Sequence, residues 1–149
     1  MTTVTHTFDR SILTVFDAVA DPRTYPEWLV GAKEMRSVDP TWPAPGSSFH
    51  HRVGLAGPLT VDDSSTCREV RAPNLLVLEV RARPFGRAQV TFRLHETVGG
   101  ATEVAFSEEP IGPARVLAPV AAVLAKHRNA RSLEHLEDYL HRTTGSRPA

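Results

Sequence analysis

The sequence predicts an α+β fold in which a curved antiparallel sheet of about seven strands wraps around a long C-terminal helix. Three patterns predict it. Strand-like segments separated by turn signals fill the chain from Lys33 to about Glu109, a helical pattern runs from Pro113 to Arg142, and two short helices follow a first strand. Successive strands joined by short turns form an antiparallel meander. One face of such a sheet needs a cover, and the terminal helix is the only predicted element long enough to provide it.

The first strand and the two short helices are predicted from alternation and from capping residues. Residues 4–8 alternate with threonine, as in a strand with one buried face. Ser11 is placed to cap the first helix, because a serine side chain accepts a hydrogen bond from the first turn. Asp21 ends that helix and caps the second, with Pro22 in the first turn, where its missing N–H is not needed. Pro26 keeps the second helix short.

Strand periodicity selects the side chains that face the interior. Successive side chains of a strand point to opposite faces of the sheet, so one set of alternate residues is buried together. This inward surface is nearly all apolar, which suits either a solid core or a cavity for an apolar molecule. The predicted inward set includes Phe49, His51, Leu76, Leu78, Val80, Ala88, Val90, Phe92, Leu94, Val104 and Phe106.

His51 and Asp63 are the polar exceptions on this surface. They lie on consecutive strands joined by a short turn, so we expect them to be cross-strand neighbours. Asp63 shares its parity with Ser65 and Cys67, and an inward carboxylate needs a partner. The pair is a candidate general acid and base. The alternatives are a hydrogen-bonded polar pair without function, or a strand bulge that turns Asp63 outward.

The terminal helix has two apolar stripes where a surface helix normally has one. Three interpretations stay open: the helix bends near residues 126–131, its first half is buried on more than one side, or the second stripe is a protein–protein interface that forms a homodimer. If the helix bends, His127, Arg128 and Arg131 are candidates to hold an anionic group of a ligand. The first stripe comprises Leu133, Leu136 and Leu140, and the nearly opposite second stripe comprises Val116, Leu117, Val120, Val123 and Leu124.

Composition and patterning limit the partners and the compartment. The 149 residues fit one domain, predicted over 1–142 with a flexible tail at 143–149. The formal net charge is zero, so we expect no nucleic-acid partner. The longest apolar run, Val116–Ala125, is too short for stable membrane insertion, and the N-terminus lacks a signal-peptide pattern. We therefore predict a cytoplasmic protein, and the arginine, alanine and proline bias is typical of a GC-rich bacterial genome.

No cofactor and no metal are predicted. Cys67 is the only cysteine, which excludes an internal disulfide and a cysteine-based zinc cluster. His50 and His51 point to opposite faces of a strand, and the three histidines of the terminal helix lack the spacing of a helical ligand pair. The glycines follow none of the phosphate-binding, dinucleotide-binding or nucleophile motifs.

The sequence resembles the helix-grip superfamily, also called SRPBCC, which includes START domains, birch-pollen-allergen-like proteins and the polyketide cyclase/dehydrase family. The resemblance covers nearly the whole chain, and it implies a cavity under the long helix that binds hydrophobic small molecules. It also implies that Trp28, on the short second helix, closes one end of that cavity. The residues that carry the resemblance are Ser11, Phe16, ADPRTYPEW from Ala20, LVLEVRARPFGRAQVTFRL from Leu76, GGATEV from Gly99 and RNARSLEHL from Arg128.

The resemblance favours a module that binds a small hydrophobic molecule, lipid-, quinone- or polyketide-like, between the sheet and the C-terminal helix. Some members of the superfamily cyclise or dehydrate polyketides, so a cyclase or dehydratase that uses His51 and Asp63 is the first alternative. The second alternative is a homodimeric interaction protein with a filled core. The predicted ligand-binding residues are Trp28, Phe49, His51, Asp63, Leu78, Phe92, Phe106, Val120 and Leu124.

Overall fold

The structure is a computed structural model of the chain, and it describes the backbone of residues 2–56, 59–81 and 86–144. Side chains are described over the same ranges, except at 53–56, 59–61 and 117. Leu117, predicted to belong to the second apolar stripe, therefore has no described side chain. Residues 145–149 of the predicted tail lie outside the described residues.

The elements follow the predicted order of strand, short helices, meander and terminal helix, so the α+β helix-grip fold is confirmed. Two 3₁₀ helices, at Pro22–Thr24 and Gly112–Leu117, precede the second and third α-helices. The strands are β1 Thr2–Phe8, β2 Ala32–Val38, β3 Ser48–Ala56, β4 Leu59–Arg71, β5 Leu75–Arg81, β6 Arg87–Glu96 and β7 Thr102–Ile111, and the helices are α1 Ile12–Ala20, α2 Tyr25–Trp28 and α3 Ala118–Thr144.

The seven strands form one antiparallel sheet in the order β1-β7-β6-β5-β4-β3-β2. The first strand thus closes the sheet beside the last, and every other pair consists of chain neighbours. Strand parity was predicted correctly: most of the described inward residues of β5, β6 and β7 are buried, and Val80 and Ala88 are half-buried. Those below one-tenth exposure are Leu76, Leu78, Val90, Phe92, Leu94, Val104 and Phe106.

The short helices are held by the caps that the sequence predicts. The Ser11 hydroxyl accepts a hydrogen bond from the Thr14 N–H at 3.2 Å, and the Asp21 carboxylate accepts one from the Arg23 N–H at 3.0 Å. Tyr25 is fully buried on α2, and its hydroxyl donates to the Val19 carbonyl oxygen at 2.7 Å. These bonds fix α2 against the end of α1 and place its aromatic rings under the sheet.

The terminal helix differs from its prediction at both ends. The predicted start at Pro113 is a 3₁₀ helix, and α3 begins at Ala118, which puts Pro119 in the first turn, where no N–H is needed. At the other end α3 continues to Thr144, whose hydroxyl donates to the Leu140 carbonyl oxygen at 2.6 Å. α3 packs against α2, β1 and β7. No helix among the described residues is long and apolar enough to cross a bilayer.

Candidate functional site

A pocket of about 160 Å³ lies between the inward face of the sheet and α3. Its wall combines the turn after α2, the strands from β2 to β7, and one turn of α3. Most of that wall is apolar, because the inward residues of the strands reach it. The main apolar residues of the wall are Met35, Phe49, Leu78, Val90, Phe92 and Phe106.

His51 and Ser65 form the first polar feature of the pocket wall. The His51 Nε2 atom lies 3.2 Å from the Ser65 hydroxyl oxygen, and Ser65 is 1% exposed. His51 pairs with Asp63 in the strand register, as the sequence predicts. Asp63 is buried, so the predicted bulge alternative is wrong, and one of its carboxylate oxygens accepts the Ser64 N–H at 3.0 Å. Burial lowers the pKa of His51, while the charge of Asp63 opposes that shift.

Glu108, Arg128 and Asn129 form the second polar feature, here called the polar cluster. Arg128 Nη2 donates to both carboxylate oxygens of Glu108, at 2.7 and 2.6 Å. Asn129 Nδ2 donates to the same carboxylate at 3.5 Å, and Asn129 Oδ1 accepts from Arg128 Nε at 3.4 Å. The Glu108 side chain is 17% exposed and Asn129 is 1% exposed. The cluster therefore places an ion pair on the wall of an otherwise apolar pocket, with the carboxylate largely buried and the Arg128 side chain still 42% exposed.

Strand periodicity contains part of the signal for this cluster. β7 continues to Ile111, so the alternation of Val104 and Phe106 carries Glu108 inward. On α3, small and polar residues share the buried stripe of the three leucines. These small and polar residues are Ala125, Asn129 and Ser132, and Asn129 is the one of the three that lines the pocket as the structure describes it.

Comparison with known proteins agrees with the fold. Residues 1–141 match the family model described as "Polyketide cyclase / dehydrase and lipid transport". The chain belongs to this family. No protein among those with curated descriptions matches it.

Three solved structures show that this polyketide cyclase/dehydrase family member shares its fold with known proteins. NE0264 from Nitrosomonas europaea superposes with a TM-score of 0.73 at 17% identity, covering 94% of this chain and 93% of that one. MLL2253 from Mesorhizobium loti gives a TM-score of 0.69 at 22% identity, covering 95% of this chain and 98% of its own. DynU16, from the dynemicin biosynthetic locus, gives 0.67 at 17% identity, covering 96% of this chain and 47% of its own. At such identities the likeness shows the fold alone.

Most of the predicted ligand-binding residues of this family member lie at or next to the pocket. Five of them are on its wall: Phe49, His51, Leu78, Phe92 and Phe106. Trp28 and Asp63 are buried, but neither is among the described residues that line the pocket. Trp28 stacks edge-on against Tyr25 and Phe92, with ring centroids 5.4 and 6.1 Å away, so it supports two wall residues from behind.

Val120 and Leu124 are placed differently from the prediction. Each is 66% exposed, so neither contributes to the described wall of the pocket. The reason is helical geometry, because the face of α3 that meets the sheet carries Ala125 and Asn129, and positions 120 and 124 lie away from it. The interpretation that the first half of the helix is buried on more than one side is therefore wrong. The homodimer hypothesis is not tested by a single chain and stays a prediction.

Burial of His51 makes a prediction about acid stability. A histidine whose pKa is lowered by folding stabilises the folded state above its unfolded pKa, and that contribution is lost as the pH falls below about 6.5. We expect His51→Gln to flatten the fall in melting temperature between about pH 7 and pH 5 relative to the wild type. His50→Gln, on the exposed face of the same strand, is the matched control and should keep the wild-type slope. Equal slopes for all three proteins would contradict the burial of His51.

Proposed function

We propose that the protein binds a small hydrophobic molecule in the pocket between the sheet and α3. The observation that carries the proposal is the composition of the wall, in which aromatic and aliphatic side chains surround a few converging polar groups. A solid core of the same residues would leave no space. The family description, which includes lipid transport, supports the same reading.

The dimensions of the pocket favour a compact ligand. Its volume of about 160 Å³ is close to that of apolar cavities of roughly 150 Å³ that hold a single benzene ring. A quinone-like or other single-ring molecule matches that volume better than a long acyl chain. We infer that binding takes place in the cytoplasm of a bacterium, without nucleic acid or a cofactor, as the composition predicts.

Native mass spectrometry of freshly purified protein tests the proposal. We expect an adduct of one molecule per chain, which organic extraction releases for mass analysis. Ala88 lies on the pocket wall, so Ala88→Phe should fill the space and remove the adduct. Ala105→Phe adds the same ring on the outward side of β7 and should keep it. An adduct that survives in Ala88→Phe, or that only Ala105→Phe removes, would contradict binding in this pocket.

A cyclase or dehydratase is the second candidate, and one observation favours it. His51 lies on the pocket wall, and its lowered pKa leaves the imidazole neutral and able to accept a proton near neutral pH. The enzyme hypothesis drawn from the sequence pairs His51 with Asp63 inside the pocket. Among the described residues, Ser65 is instead the polar neighbour of His51 that lines the pocket. Binding without turnover is therefore the better supported of the two functions.

A further inference from the structure

The polar cluster has no net charge, although it contains two ions. The guanidinium of Arg128 cancels the carboxylate of Glu108 at a distance of 2.6 Å. Across the pocket, burial favours the neutral form of His51. Arg81 also borders the pocket, but its side chain is exposed to solvent, and the Glu79 carboxylate near it already accepts hydrogen bonds from Arg68 and Arg87. Apart from this solvated cation at the edge, the described polar groups of the wall offer a ligand no unpaired charge.

This charge balance disfavours an ionic ligand. A carboxylate would lie next to that of Glu108 and would compete with it for a guanidinium that is already paired. An ammonium group would be repelled by the guanidinium of Arg128 and would compete with it for the carboxylate of Glu108. Moving an ion out of water is unfavourable unless an unpaired opposite charge receives it. The polar cluster should therefore reject both kinds of ion.

The hydrogen bonds of the cluster leave room for a ligand hydroxyl. The carboxylate oxygens of Glu108 accept three N–H groups and have about four lone-pair sites, so one more donor fits. Arg128 Nη1 donates to no other described residue, so it is available to an acceptor. A hydroxyl group both donates and accepts and therefore satisfies both requirements.

We propose that the pocket selects an uncharged, ring-sized molecule that carries a hydroxyl group, an alcohol or a phenol, with that hydroxyl bound between Glu108 and Arg128. Asn129 holds the carboxylate of Glu108 in place from the buried face of α3. The inference rests on the proposed binding function and gives the chemical class of the molecule that the pocket takes. It assigns the specificity to a pair of residues from two elements, β7 and α3.

Three probes of nearly equal shape test this specificity: para-xylene, para-methylbenzyl alcohol and para-methylbenzoate. Their dissociation constants are measured by NMR chemical-shift titration of the full chain. We expect the alcohol to bind at least about tenfold more tightly than the carboxylate. In Glu108→Gln the guanidinium loses its counter-charge, so the order should reverse. Glu109→Gln, which removes the same charge from the exposed neighbouring position, should keep the wild-type order.

Two further variants keep the test informative if Glu108→Gln is unstable. Arg128→Gln removes the cation that pairs with the Glu108 carboxylate. This variant should therefore bind para-methylbenzoate more weakly than the wild type does. The double variant Glu108→Gln with Arg128→Gln has no ion and should again prefer the alcohol. If the wild type binds benzoate as tightly as the alcohol while para-xylene also binds, the specificity inference is wrong and the binding function stands. If none of the three probes binds and the purified protein carries no adduct in native mass spectrometry, the proposed function itself is wrong.

Discussion

Replacement of Trp28 by alanine is expected to lower the free energy of unfolding by about 3–5 kcal/mol. Trp28 is 1% exposed, and it is among the largest fully buried side chains of the described residues. Its Nε1–H donates to the Thr24 hydroxyl at 2.9 Å, and its ring contacts Tyr25 and Phe92 edge-on. The variant loses the transfer free energy of the indole and leaves a void that the rigid sheet fills only in part. Urea unfolding followed by circular dichroism measures the change.

Two controls separate the causes of this loss. Trp28→Phe keeps most of the ring area but removes the hydrogen bond to Thr24, so a smaller loss is expected, since a single hydrogen bond contributes about 1 kcal/mol. Trp42→Ala removes the same side chain from a half-buried position, where less apolar area returns to water. If Trp28→Ala is no more destabilising than Trp42→Ala, the ring does not have the structural role inferred for it.

The same position connects stability with the proposed ligand site. Tyr25 and Phe92 are both on the pocket wall, and Trp28 supports them from the side away from the pocket. Loss of the indole should allow these rings to move, so the pocket loses its shape together with part of the stability. The Pro-rich segment around α2 therefore acts as an end wall, as the resemblance implied, although the indole itself does not line the pocket.

The sheet could be predicted from the sequence because each strand carries its own information about its two faces. In β5 and β6 the inward residues are apolar and the outward ones are largely charged or polar, so a shift of one residue would bury charges such as Glu79 and Arg93. The wall residues Leu78 and Phe92 follow from that alternation alone. The pairing of His51 with Asp63 was predictable for a similar reason, since β3 and β4 are neighbours in both the chain and the sheet.

The polar cluster could not be predicted in the same way, because it depends on where α3 crosses the sheet. Glu108 and Arg128 are 20 positions apart and belong to different elements. Periodicity gives the faces of each element but not their relative rotation, and the two apolar stripes of α3 made either face a candidate for burial. The error at Val120 and Leu124 has this origin. The rotation of α3 that brings Arg128 to Glu108 depends on contacts between distant parts of the chain. One of them is the hydrogen bond that the Val30 N–H donates to the Ser132 hydroxyl, at 3.0 Å.

A pair of leucine substitutions on α3 tests that rotation directly. Leu136 is fully buried and Leu124 is 66% exposed, on one continuous helix. Leu136→Ala should lower the free energy of unfolding by about 2–5 kcal/mol, because it opens a cavity in the core. Leu124→Ala should change it by no more than about 0.5 kcal/mol, because its side chain is already in water and alanine favours a helix. Chemical denaturation of both variants gives the two values under the same conditions.

The difference between the two variants is the informative quantity, since both lose the same atoms from the same helix. A large loss for Leu136→Ala alone fixes the buried stripe on the side of the three later leucines, and this rotation also directs Arg128 towards Glu108. A comparable loss for Leu124→Ala would mean that a second surface covers the early stripe in solution. In that case the loss should depend on protein concentration, because a homodimer couples stability to association. A loss independent of concentration would instead place Leu124 inside the chain's own core and contradict the observed rotation of α3.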